Sequence, residues 1–467
     1  MNPDLESLQR KEAWEQLTKK LEMFYANPYN RKVSPQLNAG EIKKMINTFS
    51  ETLSPGTAIA HVLEGMEKYT VHTSHPMYYG LFNPRANFPS ITADIITAVY
   101  NPQLAAWSHS PFAAEVEQML IKSLGKKFGY LPEDIDGVFT SGGAEANLTA
   151  LLTALNNKYP AYANEGILSL KKQPVIYCSN ESHHSIIKAV KIAGLGINAV
   201  RKIPVNHSLQ PLINEFDGLI REDISNGFEP LMLIATLGTT GAGIVEPIKD
   251  LAPLATKYSM WLHADAAYGG GAILSQQYKY LVDGIELSDS ITFDAHKWMS
   301  VTMSASIFLT RHKGILDKTF RITADYMPKE AGTLDITDPF THSIQWSRRF
   351  IGLKLYLSLL IFGWKGYEET IDQHFSVGKL LRKKLAGNGW VIFNDTDLPV
   401  ICFGKENFIK DEQAALKLSN QIIQSGKAWL SVYKLGDINT LRVCITNYLT
   451  GEKDIDDLLI LLDEHTA

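Results

Sequence analysis

Seven short runs rich in β-branched and aromatic residues recur between residues 138 and 310, separated by stretches with helical spacing, and this alternation constrains the chain most. The runs lie at residues 138–140, 175–178, 199–203, 231–236, 261–263, 291–293 and 306–310. Strands that read as nearly continuous apolar runs need cover on both faces. The pattern therefore predicts an α/β fold with a mostly parallel seven-stranded sheet and helices on either side. After residue 346 the pattern changes to a long helix over 347–362, strands near 391–393 and 441–446, and a last helix from Asp454, which reads as a smaller α+β domain. Ahead of the sheet, Leu8, Trp14, Leu17, Leu21 and Phe24 recur at helical spacing until Asn27-Pro28 ends the segment. An apolar stripe on a helix that precedes the main fold is expected to bury itself on a second subunit. The expected division is an N-terminal helical segment at 1–88, a large domain at 89–345 and a small C-terminal domain at 346–467.

With 45% hydrophobic and 20% charged residues in 467, the chain is globular and long enough for two or three packed units. Its 45 basic and 50 acidic residues are interspersed and leave a net charge of only −5, which gives no electrostatic footprint for nucleic acid or an anionic membrane. Cys178, Cys402 and Cys444 lie far apart in apolar runs, as reduced buried thiols do, rather than as disulfides or metal pairs. Residues 1–14 lack an apolar signal core, and the longest apolar stretch, at 353–364, is interrupted by Lys354 and too short for a bilayer. A cytoplasmic address is expected.

The stretch Thr140-Ser141-Gly142-Gly143-Ala144-Glu145-Ala146-Asn147 follows a predicted strand and opens a helix with Leu148, Leu151, Leu152 and Leu155 on its apolar face. Glycines let the backbone approach an anion, and a helix N-terminus offers unpaired N–H groups with about half a positive charge, which outlines a phosphate cradle. A plain turn before a helix reads the same way, and the Gly-Lys-Ser/Thr ending of a P-loop is missing. Asn180-Glu181-Ser182-His183-His184-Ser185 also sits just past a strand, at the mouth of an open sheet, where His183 could stack on a flat heterocycle or simply begin a helix. Adjacent histidines are not the i, i+4 pair that converges on a metal, and no metal is expected. Next, His263-Ala264-Asp265-Ala266-Ala267-Tyr268-Gly269-Gly270 continues a strand from Trp261 and ends in small residues against which a planar ring can lie. An aspartate at the end of a buried strand is costly unless a positive group meets it, as a protonated pyridine nitrogen does. Further on, Asp294-Ala295-His296-Lys297-Trp298 places a lysine at another strand end, where desolvation would free the amine for a Schiff base.

Taken in order, S-G-G-A-E-A-N, H-H-S, L-G-T-T, H-A-D-A-A-Y and D-A-H-K-W resemble the motifs of the group II pyridoxal-phosphate decarboxylases. That family includes aromatic-amino-acid, glutamate, 2,4-diaminobutyrate and histidine decarboxylases. The likeness runs from Ser74-His75-Pro76 to Leu441-Arg442 and takes in Ser347-Arg348-Arg349. It implies pyridoxal 5'-phosphate as cofactor, fold type I with a large coenzyme-binding domain, and a homodimer with its active sites at the subunit interface. It also implies a carboxy-lyase that converts an L-amino acid to its amine and carbon dioxide through a Lys297 aldimine and a quinonoid intermediate. Carried over by position, Asp265 would keep the pyridine nitrogen protonated, His183 and Ala267 would sandwich the ring, and Thr240 would lie near its 3′ oxygen. Gly143, Ala144 and His296 would contact the phosphate. Ala144 replaces a serine of many relatives, and Asp294 an asparagine of some, so backbone N–H groups would carry more of the phosphate contact.

Tyr326, in the stretch 321–327, matches the tyrosine that protonates Cα, and its presence favours amine over aldehyde, because aldehyde-forming relatives often carry phenylalanine there. Phe82 and Asn83 fall in the family's substrate-pocket stretch, and Arg442 matches an arginine that faces a substrate carboxylate in some relatives, with an intradomain ion pair as the other reading. Ala105 stands where aromatic-specific relatives place a bulky ring, so acidic, basic and aromatic substrates all stay open. Two alternatives stand beside decarboxylation. One is another type I reaction, such as transamination, aldehyde formation or carbon–carbon lyase chemistry, and the other is a catalytically silent scaffold.

Overall fold

The computed structural model describes residues 4–50, 52–322 and 336–466. Seven strands form one sheet: β1 (Asp136–Thr140), β2 (Pro174–Ser179), β3 (Val200–Ile203), β4 (Glu229–Thr236), β5 (Trp261–Asp265), β6 (Ser290–Asp294) and β7 (Ser306–Thr310). Their order across the sheet is β1-β7-β6-β5-β4-β2-β3, and β7 runs antiparallel to both of its neighbours while the remaining pairs are parallel. The expected mostly parallel sheet is therefore present. Strands β1, β2, β5, β6 and β7 are buried along their whole length, which explains why they read as apolar runs instead of alternating.

Helix Gly143–Lys158 lies against the sheet through Leu148, Leu151 and Leu155, which share a core with Ile176, Met232, Ile234 and Phe308. Each fully buried leucine contributes on the order of 1.5–3 kcal/mol, which outweighs the two asparagines near the C-terminal end of this helix. Register places Thr236 beside Asp265 and Asp265 beside Thr292, so β4 and β5 finish level with one another and β6 runs two residues further, to Asp294. The predicted helix after residue 346 is longer than the sequence pattern suggested. It runs over Gly352–Gly387 and is broken at Gly363, where φ is +61° and the helical pattern cannot continue.

The chain divides into two compact units. The sheet belongs to one, Ala86–Arg382 with Ile392–Ile401. The other comprises Met1–Arg85, Lys383–Val391 and Cys402–Ala467. It holds helices Ser7–Ala26, Ala39–Ile46 and Pro55–Tyr69 together with helices Ala414–Ser425 and Glu452–Thr466. Strands β8 (Val391–Ile392), β9 (Val400–Gly404), β10 (Ser431–Leu435) and β11 (Ile438–Cys444) form a second sheet in the order β10-β11-β9-β8. The helix Ser7–Ala26 buries none of its residues, and Leu8 and Trp14 are exposed. No helix among the described residues is long and apolar enough to cross a membrane. All three cysteines are free and buried, as their apolar surroundings predict.

Candidate active site

Side chains at the C-terminal ends of parallel strands converge because neighbouring strands finish at one edge and the following loops turn away from it. Here Gly143, Ala144, Asp265 and Lys297 line one pocket at that edge. His183, Thr240, Ala267 and Asp294 line the same pocket. Residues drawn together by sequence reasoning from five separate segments thus share a single concavity. Gly238 and Gly269 let the loops after β4 and β5 touch: Gly238 has φ +96°, and a Cβ on it would stand 2.7 Å from the Gly269 nitrogen.

Asp265 is buried at the end of β5. Its Oδ2 accepts from Asn147 Nδ2 at 2.9 Å, and its Oδ1 accepts from the Ala267 N–H at 3.3 Å. Lys297 Nζ lies 3.0 Å from Asp294 Oδ2, an ion pair that gives the amine a partner within its own turn. Burial alone would raise the pKa of Asp294. The charges of Lys297 and His296 and the Ser306 hydroxyl outweigh burial and hold it below the usual carboxylate range. A Cβ on Gly143 would stand 3.1 Å from this carboxylate, so the missing side chain keeps the start of the helix open. The N–H groups of Gly143 and Ala144 belong to the first helical turn and have no acceptor within the helix.

His183 stands ahead of helix Ser185–Ile192, and its Nδ1 accepts the Ser185 N–H at 3.2 Å, which leaves Nε2 to carry the proton of the neutral ring. Burial, with Lys297 and His184 nearby, lowers its pKa although Asp265 pulls the other way. His296 is not among the pocket's lining residues. Its Nδ1 lies 2.9 Å from Ala305 O, and its Nε2 is 3.7 Å from Asp294 Oδ2, so it meets the pocket through that carboxylate. Phe82, Asn83 and Arg442 belong to the other compact unit. There Arg442 Nη1 donates to Gly80 O at 2.6 Å and to Ser431 Oγ at 3.2 Å, and its guanidinium lies 5.0 Å from the centre of the Phe82 ring. Tyr326 lies outside the described residues.

Sequence reasoning gave Asn147 no role, yet its amide joins Asp265, Ser185, His263 and Thr292. The available signal was a polar residue inside an otherwise apolar helix face. Glu246 was also passed over. Burial raises its pKa to about 7, with Asp265 and Glu181 adding to the effect. Chemically the pocket offers a buried carboxylate, an amine and a helix N-terminus, a donor set suited to a ring with a basic nitrogen, an aldehyde and a phosphate. No cluster of metal-ligating side chains occurs among the described residues.

Known proteins carry the same pattern. The model of the pyridoxal-dependent decarboxylase conserved domain matches residues 46–405. An aromatic-L-amino-acid decarboxylase of Bacillus atrophaeus is 28% identical over 428 residues, covering 89% of this chain and 87% of that protein. Among solved structures, Oryza sativa TDC with PLP and tryptamine is similar with a TM-score of 0.93 at 20% identity, covering 100% of this chain and 99% of that one. Mouse CSAD gives a TM-score of 0.92 at 23% identity, covering 99% of each chain.

Proposed function

From the premise that this chain belongs to the pyridoxal-dependent decarboxylase family, we propose that Lys297 carries its cofactor and that Asp265 holds the cofactor's ring nitrogen. The chain is a carboxy-lyase of fold type I that uses pyridoxal 5'-phosphate to decarboxylate an amino acid. When bound, this cofactor supplies an electron sink for the pair left behind as carbon dioxide departs.

The observation that carries the finer reading is the pairing of Asp265 with Asn147 at 2.9 Å in the pocket that also holds the Lys297 amine. A carboxylate so placed would lose much of its solvation without a cationic partner, and a protonated ring nitrogen provides one. Ala267 and His183 would hold the ring between them, Thr240 would meet its 3′ oxygen, and the N–H groups of Gly143 and Ala144 would hold the phosphate, with His296 acting on that end through Asp294. Asp294, 3.0 Å from Lys297 Nζ, would hold the free ammonium of that lysine. Tyr326 returns a proton to the substrate's α-carbon, so the product is an amine. Phe82, Asn83 and Arg442 select the substrate, and the Arg442 guanidinium takes a carboxylate group. We further propose a homodimer, in which the exposed stripe of helix Ser7–Ala26 finds its cover, and a cytoplasmic setting.

The test has two arms. Apo protein is titrated with pyridoxal phosphate while visible absorbance is followed, and holoenzyme is then given the twenty common amino acids, ornithine and 2,4-diaminobutyrate while carbon dioxide, amine and aldehyde are measured separately. The expected outcome is a visible band and amine formation from one substrate class, both lost in Lys297→Ala. Full turnover by Lys297→Ala would remove the assignment.

A further inference from the structure

We propose that Asn147 is a positioning residue, the last link of a one-way hydrogen-bond chain from Trp261 through Ser290 and His263 that fixes the orientation of the Asp265 carboxylate towards a ligand N–H. This rests on the cofactor reading above and deepens it. The direction of the chain follows from its two ends. Trp261 Nε1 can only donate, and it does so to Ser290 Oγ at 2.7 Å. An ionised carboxylate can only accept, so the face of the Asn147 amide at 2.9 Å from Asp265 Oδ2 must be Nδ2. Asn147 Oδ1 is then an acceptor, and it takes the Thr292 hydroxyl at 2.7 Å and His263 Nε2 at 3.0 Å. His263 therefore carries its proton on Nε2. Its bare Nδ1, 2.8 Å from Ser290 Oγ, takes the hydroxyl hydrogen that Ser290 still has to give.

Every link has one consistent polarity, and the polarity holds only with a neutral imidazole. Complete burial supplies that condition by lowering the pKa of His263 to about 4. A proton on Asp265 Oδ2 would face the amide hydrogen of Asn147, donor against donor. The second hydrogen of that amide reaches Ser185 Oγ at 2.8 Å, so the same group ties β5 to the helix that His183 precedes. Asn147 is itself only 3% exposed, which keeps water from replacing it. The titratable groups that face Asp265 are His183 from before helix Ser185–Ile192, His263 on β5 and Glu246 after β4. Lys297 shares its pocket.

Without the amide, Asp265 Oδ2 loses a charge-assisted bond and the carboxylate is no longer held in place. Asn147→Leu should then weaken pyridoxal-phosphate binding by about tenfold to a hundredfold at pH 7. His263→Phe should weaken binding in the same direction, and His263→Gln, which can donate to Asn147 and accept from Ser290, should recover most of it. Affinity is read by absorbance titration of the apo proteins at pH 7, and apo melting temperatures check the fold. Wild-type affinity in Asn147→Leu would overturn the chain alone. If Asn147→Leu does not fold, equal affinities for His263→Phe and His263→Gln would overturn it instead. Absence of any Lys297-dependent band in the wild-type protein would overturn the cofactor reading and this role with it.

Discussion

Glu246 is a buried acid beneath the site, with Ser179 Oγ donating to Oε1 and the Thr236 N–H donating to Oε2 at 2.7 Å. Its two bonds come from the ends of β2 and β4, so it ties together the strands that lead towards the pocket. Burial lifts its pKa from 4.5 to about 7, more than these two donors can pull it down. Between those two values the folded chain keeps a proton that the unfolded chain has released. Stability contributed by this group is therefore full below pH 4.5 and falls as pH rises to 7 and above, by roughly 3 kcal/mol in all. Glu246→Gln keeps the shape without the titration. Denaturant unfolding at pH 5 and pH 8 should find the variant gaining on the wild type by roughly 2–3 kcal/mol between the two values. An equal difference at both would mean that the carboxyl is already ionised in the folded protein.

The loops after β4 and β5 depend on having no side chain at their point of contact. A Cβ on Gly238 would meet the Gly269 nitrogen at 2.7 Å and its Cα at 2.9 Å, and the residue already has φ +96°. Both neighbours are backbone and cannot swing aside, so Gly238→Ala should cost at least about 3 kcal/mol and displace Thr240. Gly218 lies within helix Ile213–Ser225 with open space around its missing Cβ. There Gly218→Ala should stabilise by up to about 1 kcal/mol. Thermal unfolding of the two variants measures both effects. At this scale most strands of the large sheet were legible, because burial on both faces turns them into apolar runs such as Leu231 to Thr236, whereas the half-buried edge strand β3 carries Arg201 and Lys202. The same logic left Asp265 and Lys297 visible as polar residues that end such runs. The hairpin of β10 and β11 was only half seen, since Ser431–Leu435 is partly exposed and mixes Ser, Tyr and Lys with apolar residues. Asn147 escaped because its worth comes from partners such as Asp265, 118 positions away, and Thr292, 145 positions away, and no local pattern encodes that meeting.

Across the whole molecule, buried histidines set the response to acid. Burial lowers the pKa values of His75, His263 and His374 to about 4. An unfolded chain protonates each near 6.5, so their contribution to stability is present above that pH and is lost as pH falls towards 4. Asp294, held low by Lys297 and His296 against its burial, adds loss of the same sign further down. Glu246 opposes them between 7 and 4.5, so these three histidines and Glu246 together take up about two protons on unfolding near pH 5, a slope of roughly 2.7 kcal/mol per pH unit from these four groups. Against a total stability of about 5–15 kcal/mol, a slope of that size removes a large fraction of it between pH 6 and pH 4. His374 is the histidine on which this can be tested most directly. It is 1% exposed, its ring centre lies 5.8 Å from that of Trp298, and neither ring nitrogen has a hydrogen-bond partner among the described residues. Burying those two nitrogens is a cost in the native protein that a hydrocarbon of similar volume would not carry. His374→Leu should match or exceed wild-type stability by about 1–2 kcal/mol at pH 7, and its lead should widen at pH 5 as the wild-type unfolded chain gains a proton the variant cannot bind. Urea midpoints at the two pH values decide it: a lead that stays constant would mean that His374 takes up its proton equally well in both states.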